Sequence, residues 1–169
     1  PKSRVKEVGK LLTFVDERAS EMCKIQEAGE ANIIPLRVTH NDTKCDNLLF
    51  DNNNNALCII DLGTVMPGYV HFDFGDAIRS VANKGREDEP NTEAIQFDLD
   101  LFKAFTSGYL ENTYNFLTQD ELAYLPLSIK MMTFIMGVRF LTDYINGDIR
   151  DIREGIFSDD LTEKIRELV

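Results

Sequence analysis

Basic residues are the scarce class in this chain: 18 Lys and Arg stand against 29 Asp and Glu in 169 residues, a formal net charge of −11. A nucleic-acid partner needs clustered Lys and Arg, so the balance argues against one. Any phosphates on a substrate then call for a bound divalent cation, not general surface charge. Histidine is rarer still, with only His40 and His71, in unlike settings that offer little to zinc. The three cysteines, Cys23, Cys45 and Cys58, follow neither a metal-ligand nor a disulfide spacing. They read as free thiols in a reducing cytoplasm. No uninterrupted apolar run reaches the length of a membrane span, and "PKSRVKEVGK" lacks a signal-peptide pattern. The expectation is a soluble, cytoplasmic protein. A hydrolase is a poor fit, because there is no Gly-x-Ser-x-Gly elbow and no cysteine opens a Cys-x-Pro-x-Arg signature.

Internal repeats and linkers are missing too, so residues 1–169 read as a single domain, long enough to bury a real core. Residues 5–29 carry apolar side chains at three- and four-residue steps, from Val5 and Val8 to Met22 and Ile25. That spacing predicts one amphipathic helix, ended by Gly29 and Pro35. "NLLFD" and "ALCIIDL", residues 47–51 and 56–62, flank an Asn-rich turn and predict a two-stranded hairpin. Helices are expected from Phe72, over 95–117, over 120–146 and, short and amphipathic, around Leu161, Ile165 and Leu168, with a charged surface loop at "KGREDEPNTEA". The methionines Met131, Met132 and Met136 suit core gaps between helices. The fold class is mainly α with a small β-hairpin.

The most informative stretch is "THNDTKCDNLLFD", residues 39–51. It sets His40, Asp42, Lys44 and Asn47 on a loop just before the first hairpin strand. A hairpin returns its end to near its beginning, so Asp61 should come back beside Asp42 and Asn47. Two carboxylates and an amide oxygen suit magnesium, which takes one or two protein groups plus substrate phosphates. His40, Asp42 and Asn47 match the offsets of the kinase loop H-R-D-x-x-x-x-N, with Asn41 in place of Arg. His40 reads as structural, and so does His71. Asp73 is open to a plain reading as a helix N-cap.

"THNDTKCDNLLFD", "IIDLGTVMPG" and "FDFGDAIR" together resemble the aminoglycoside phosphotransferase and choline kinase group of kinase-like enzymes, in particular the N-acetylhexosamine 1-kinases. The likeness is strong over 36–80 and weaker around 137–148. It implies a protein-kinase-like α+β fold of which this chain is the C-terminal catalytic lobe. Nothing before His40 supplies a Gly-rich phosphate loop or a nucleotide-binding lysine, so the N-terminal nucleotide-binding lobe of the same protein would be an absent partner and this fragment alone inactive. The implied reaction moves the γ-phosphate of MgATP to the anomeric hydroxyl of an N-acetylhexosamine. Asp42 would be the base at the sugar, Lys44 would lie near the γ-phosphate, and Asn47 and Asp61 would hold Mg2+ on the nucleotide. Asp73 would support the loop. Arg139 would bind the sugar, or equally pair with Asp143 one turn on. Choline, an aminoglycoside or an amino alcohol is the alternative acceptor, and a kinase-like binding module without catalysis the alternative class.

Overall fold

A computed structural model describes residues 2–85, 91 and 95–147. The N-terminal amphipathic stretch folds as three successive segments, not one helix: α1 (Lys2–Glu7), α2 (Gly9–Met22) and α3 (Lys24–Glu30). The joints at Val8 and Cys23 are slight, because Leu12 N–H still reaches Val8 O at 3.0 Å and Glu27 N–H reaches Cys23 O at 2.9 Å. The helix runs through Gly29 and ends at Glu30 with Ala31 as its cap, between the two expected stop signals, Gly29 and Pro35.

The expected hairpin is present as β2 (Leu48–Phe50) and β3 (Ala56–Ile59), antiparallel, with Leu48 opposite Ile59. Its turn is built by Asp51, whose carboxylate accepts from the N–H groups of Asn53 and Asn55, at 2.8 Å each, while Asn54 takes a positive φ of 65°. Asn tolerates that left-handed region, which is why the Asn run works as a turn. A second antiparallel ribbon was not expected: β1 (Arg37–Thr39) pairs with β4 (Met66–Gly68), Arg37 opposite Gly68 and Thr39 opposite Met66. Two short 3-10 turns, Cys45–Asn47 and Leu62–Thr64, connect loop to strand.

Three helices complete the described fold: α4 (Val70–Val81), α5 (Leu99–Thr113) and α6 (Gln119–Asn146). The expected helix around Leu161 lies outside the described residues, as does part of the charged loop at 84–94. Helix α6 is the organising element. Its Met131 and Phe134 pack with Met22, Ile25 and Ala28, while Leu125 joins Val70, Phe74 and Ile78 of α4. Near its end Leu141 meets Val8 and Leu11. Of the three methionines, Met131 is fully buried and Met132 packs against the same cluster. The α4–α6 contact is close because Gly75 has no side chain; a Cβ there would collide with the Ser128 carbonyl.

Helix α6 begins with a capping box: Glu121 N–H bonds the Thr118 hydroxyl at 3.1 Å, and Thr118 N–H bonds Glu121 Oε2 at 2.8 Å. Glu121 is fully buried and also receives a two-pronged bond from Arg37 of β1, at 2.6 and 2.8 Å. Burial alone pushes this carboxyl up, but the Arg37 guanidinium and the Thr118 N–H outweigh it and hold the group below the usual range. His71, fully buried on α4, sits 2.9 Å from the Glu121 carbonyl, and burial drives its pKa down. Although no uninterrupted apolar run is long enough, α6 has the length, and over an 18-residue window the mean hydropathy, 1.3, to cross a bilayer, a measure that a domain's core helix also meets.

The two ribbons differ from the helices in exposure. Leu36, Val38, Leu57, Ile59, Leu62 and Met66 are all exposed, Val38 at 81%.

Candidate functional site

The loop between β1 and β2 is held by backbone bonds that run to α4. Asp73, in the first turn of α4, is not the N-cap, which is Tyr69. Its carboxylate instead accepts from two consecutive N–H groups of the loop, His40 at 2.8 Å and Asn41 at 2.7 Å. The Thr43 hydroxyl donates to the Asp73 carbonyl at 2.6 Å, and Cys45 N–H donates to the Ser80 hydroxyl at 2.9 Å. Residues 40–45 are thus fastened along two turns of one helix. The Tyr109 ring of α5 packs tilted against Phe74, with centroids 4.9 Å apart; burial first, then the charges of Asp73 and Glu121, push its phenol up to about 12.

Within the loop, Asp42 Oδ2 accepts from the Asn47 amide at 2.7 Å and lies 3.4 Å from Lys44 Nζ. The same Asn47 nitrogen donates to the Asp42 carbonyl at 2.8 Å, which closes the loop on itself. Asn47 is buried, whereas Asp42 and Lys44 are half-buried. Both of these contacts fall on Oδ2, so among the described residues Asp42 Oδ1 has no protein partner.

The segment carrying Asp61 is joined to this loop at four points. Ile60 N–H donates to the Asn47 carbonyl at 2.9 Å, and the His40 ring nitrogen Nε2 lies 3.0 Å from the Ile60 carbonyl. The Thr64 hydroxyl donates to the His40 carbonyl at 2.6 Å, and the Asn41 amide donates to the Thr64 carbonyl at 3.0 Å. Asp61 itself is exposed and left-handed, with φ 58° and ψ 59°. Asn41, directly before Asp42, is left-handed too, at φ 63°. A non-glycine residue in this region costs about 1 kcal/mol and persists only where its surroundings hold it, a pattern common at functional sites. Gly68 makes room for the arrangement: a Cβ there would collide with the Thr39 hydroxyl and come within 3.3 Å of Asn41 Oδ1.

The structure therefore brings His40, Asp42, Lys44, Asn47 and Asp73 into one bonded unit and sets the Asp61 segment beside it. Arg139 is apart from them in bonding: it lies on the exposed side of α6, and among the described residues it forms no ion pair with Asp143 or with the loop. Sequence reasoning missed Asn41, Thr43, Thr64 and Ser80. Only Asn41 carried a local signal, as a residue type that tolerates positive φ.

As for metal binding, no group of three His, Cys, Asp or Glu side chains gathers into a cage among the described residues. What the site does offer is two hard oxygen donors on adjoining segments, the side-chain Oδ1 of Asn47, left over by its donating nitrogen, and the Asp61 carboxylate. That donor set fits a small hard cation that keeps other ligands from water or phosphate. An apolar hollow of about 270 Å³ lies elsewhere, lined by Met22, Cys23, Phe72, Met131, Phe134 and Ile135, and none of the loop residues borders it.

A family model of phosphotransferase enzymes matches residues 11–110, well over half of the chain, from α2 through the loop, both ribbons and α4 to α5. All of α6, with Arg139, lies beyond the match. The mainly helical fold with its small antiparallel ribbons is compatible with that family, and the chain belongs to the phosphotransferase enzyme family.

Proposed function

We propose that this chain is the C-terminal catalytic lobe of an ATP-dependent cytoplasmic kinase that phosphorylates a sugar hydroxyl, the anomeric hydroxyl of an N-acetylhexosamine. The observation that carries the reading is the Asp42 carboxylate: one oxygen is fixed by the Asn47 amide and Lys44, and the other is left for an acceptor hydroxyl. A base positioned this way orients the hydroxyl and takes its proton as the phosphoryl group transfers. Lys44, 3.4 Å from Asp42, brings a positive charge to where the transferring group would sit. Asn47 and Asp61 would hold Mg2+, which when bound neutralises charge on the nucleotide phosphates. His40 and Asp73 support the loop through the bonds described above and touch no substrate. Arg139, free of an ion pair with Asp143 among the described residues, is assigned to the sugar.

The lobe assignment draws support from the exposed apolar side chains of the two ribbons. A nucleotide-binding lobe of the same protein would cover them, and without it the ATP site is half built. The substrate follows from the wording of "THNDTKCDN", "IIDLGTVMPG" and "FDFGDAIR".

The test is phosphorus NMR on the full-length gene product with MgATP and N-acetylglucosamine or N-acetylgalactosamine, beside Asp42→Asn. The expected result is a sugar 1-phosphate signal that the variant does not produce. ATP consumed only with choline or an aminoglycoside keeps the kinase and replaces the acceptor. ATP left intact with every acceptor would sink the enzyme reading in favour of a binding module.

A further inference from the structure

We propose that Thr64 and Asn41 are positioning residues that together set the spacing between the Asp42 loop and Asp61. The inference rests on the phosphotransfer reading and goes beyond it by assigning two residues that touch neither nucleotide nor sugar. Their bonding is reciprocal. The Thr64 side chain donates to the backbone at His40, at 2.6 Å, and the Asn41 side chain donates to the backbone at Thr64, at 3.0 Å. Asn41 also has its Oδ1 3.0 Å from the Thr39 hydroxyl, so both ends of its amide are engaged.

The placement of this pair gives it leverage. Asn41 directly precedes Asp42, and Thr64 closes the turn Leu62–Thr64 that begins after Asp61. Asn41 and Asp61 both sit at positive φ, 63° and 58°, a conformation that persists in a non-glycine residue only where its surroundings hold it. Each segment crosses from one ribbon to the other, residues 40–47 from β1 to β2 and residues 60–65 from β3 to β4, and the two ribbons are not paired with each other. Ahead of Asp61, the Ile60 N–H bonds the Asn47 carbonyl and the His40 ring meets the Ile60 carbonyl. The Thr64–Asn41 pair adds the ties that follow Asp61, so its segment is held to the loop on both sides. Displacing a reacting group by about 1 Å costs about 10²-fold in rate, so a modest loosening is readable in turnover.

The experiment uses the full-length protein with Thr64→Val, Thr64→Ser and Asn41→Gly. Valine keeps the shape and deletes the hydroxyl, serine keeps the hydroxyl, and glycine keeps the positive φ while deleting the amide. Thr64→Val and Asn41→Gly are expected to lower kcat by about 10- to 100-fold, with KM for the sugar within about threefold of the parent. Serine should restore most of the loss. Binding of Mn2+ with ADP, followed by electron paramagnetic resonance, should weaken in Thr64→Val and Asn41→Gly and not in Thr64→Ser. Unchanged kcat and unchanged Mn2+–ADP binding in Thr64→Val, or equal losses in valine and serine variants, overturns the proposal. Should the parent protein neither turn over nor bind Mn2+–ADP, the function reading itself fails. The clamp is then decided by amide hydrogen exchange across residues 39–47: faster exchange in Thr64→Val and Asn41→Gly than in Thr64→Ser supports it, and equal exchange overturns it.

Discussion

The helical half and the ribbon half of this molecule bury their side chains by different rules. Between α4 and α6 even titratable groups are sealed in: Glu121 and His71 are both fully buried and each has a polar partner. In the ribbons every residue of β3 is exposed, and apolar side chains such as Val38 and Leu57 meet solvent. Buried polar groups are tolerated only when bonded, and exposed apolar clusters usually mark a surface that something else covers. The helices therefore hold the buried core, while the ribbons flank the candidate site and leave most of their apolar side chains in solvent.

Several substitutions would break or sharpen that contrast. The largest effect is expected on the ribbon side and on activity alone: Asp42→Asn should lower kcat of the full-length protein by several orders of magnitude while the urea midpoint stays put. A matching loss of stability would mean that the loop is also a folding element. On the helical side, Glu121→Ala should cost about 3 kcal/mol in urea unfolding, because it strips Arg37 of its partner and opens the α6 cap at once. Gly75→Leu should cost about 1–3 kcal/mol or more by forcing α4 away from the Ser128 carbonyl, measurable as a lower thermal midpoint.

The pH dependence is expected to come from the helical half as well. Burial lowers the His71 pKa below its unfolded value, so the unfolded chain binds this proton first. Stability should then fall as pH drops below about 6.5 and keep falling until the folded-state pKa is passed. Thermal midpoints at pH 7.5 and 5.5 check this, and His71→Gln should flatten the difference. The smallest effect is expected from Val38→Lys, within about 0.5 kcal/mol by urea unfolding of this chain. A loss as large as that of Gly75→Leu would erase the distinction between the halves.

Much of this was legible in the chain, and what was not has a common cause. The apolar periodicity of residues 119–146 marks α6 within a residue of where it runs, even through Pro126, whose local cost of about 3 kcal/mol is overridden by packing on α2, α4 and α5. The β2–β3 hairpin was readable because its strands are joined by a local Asn-rich turn. The β1–β4 ribbon was not, since two three-residue strands separated by 26 residues leave no periodicity to detect. At the site, the offsets of His40, Asp42 and Asn47 were visible, as was an acid at Asp73. The bonds from Asp73 to the loop and from Arg37 to Glu121 span 32, 33 and 84 positions, and no local pattern reports a contact of that range.

The way Asp73 holds the loop has a consequence for how this scaffold can change. It grips the peptide N–H groups of His40 and Asn41, not their side chains, so the grip is blind to what those residues are. A change of side chain at His40 leaves those two N–H groups in place, whereas the side chains of Asn41, Thr43 and Asn47 are themselves fastenings of the loop. Variation that spares the chain path is thereby confined to the positions whose side chains do not hold it.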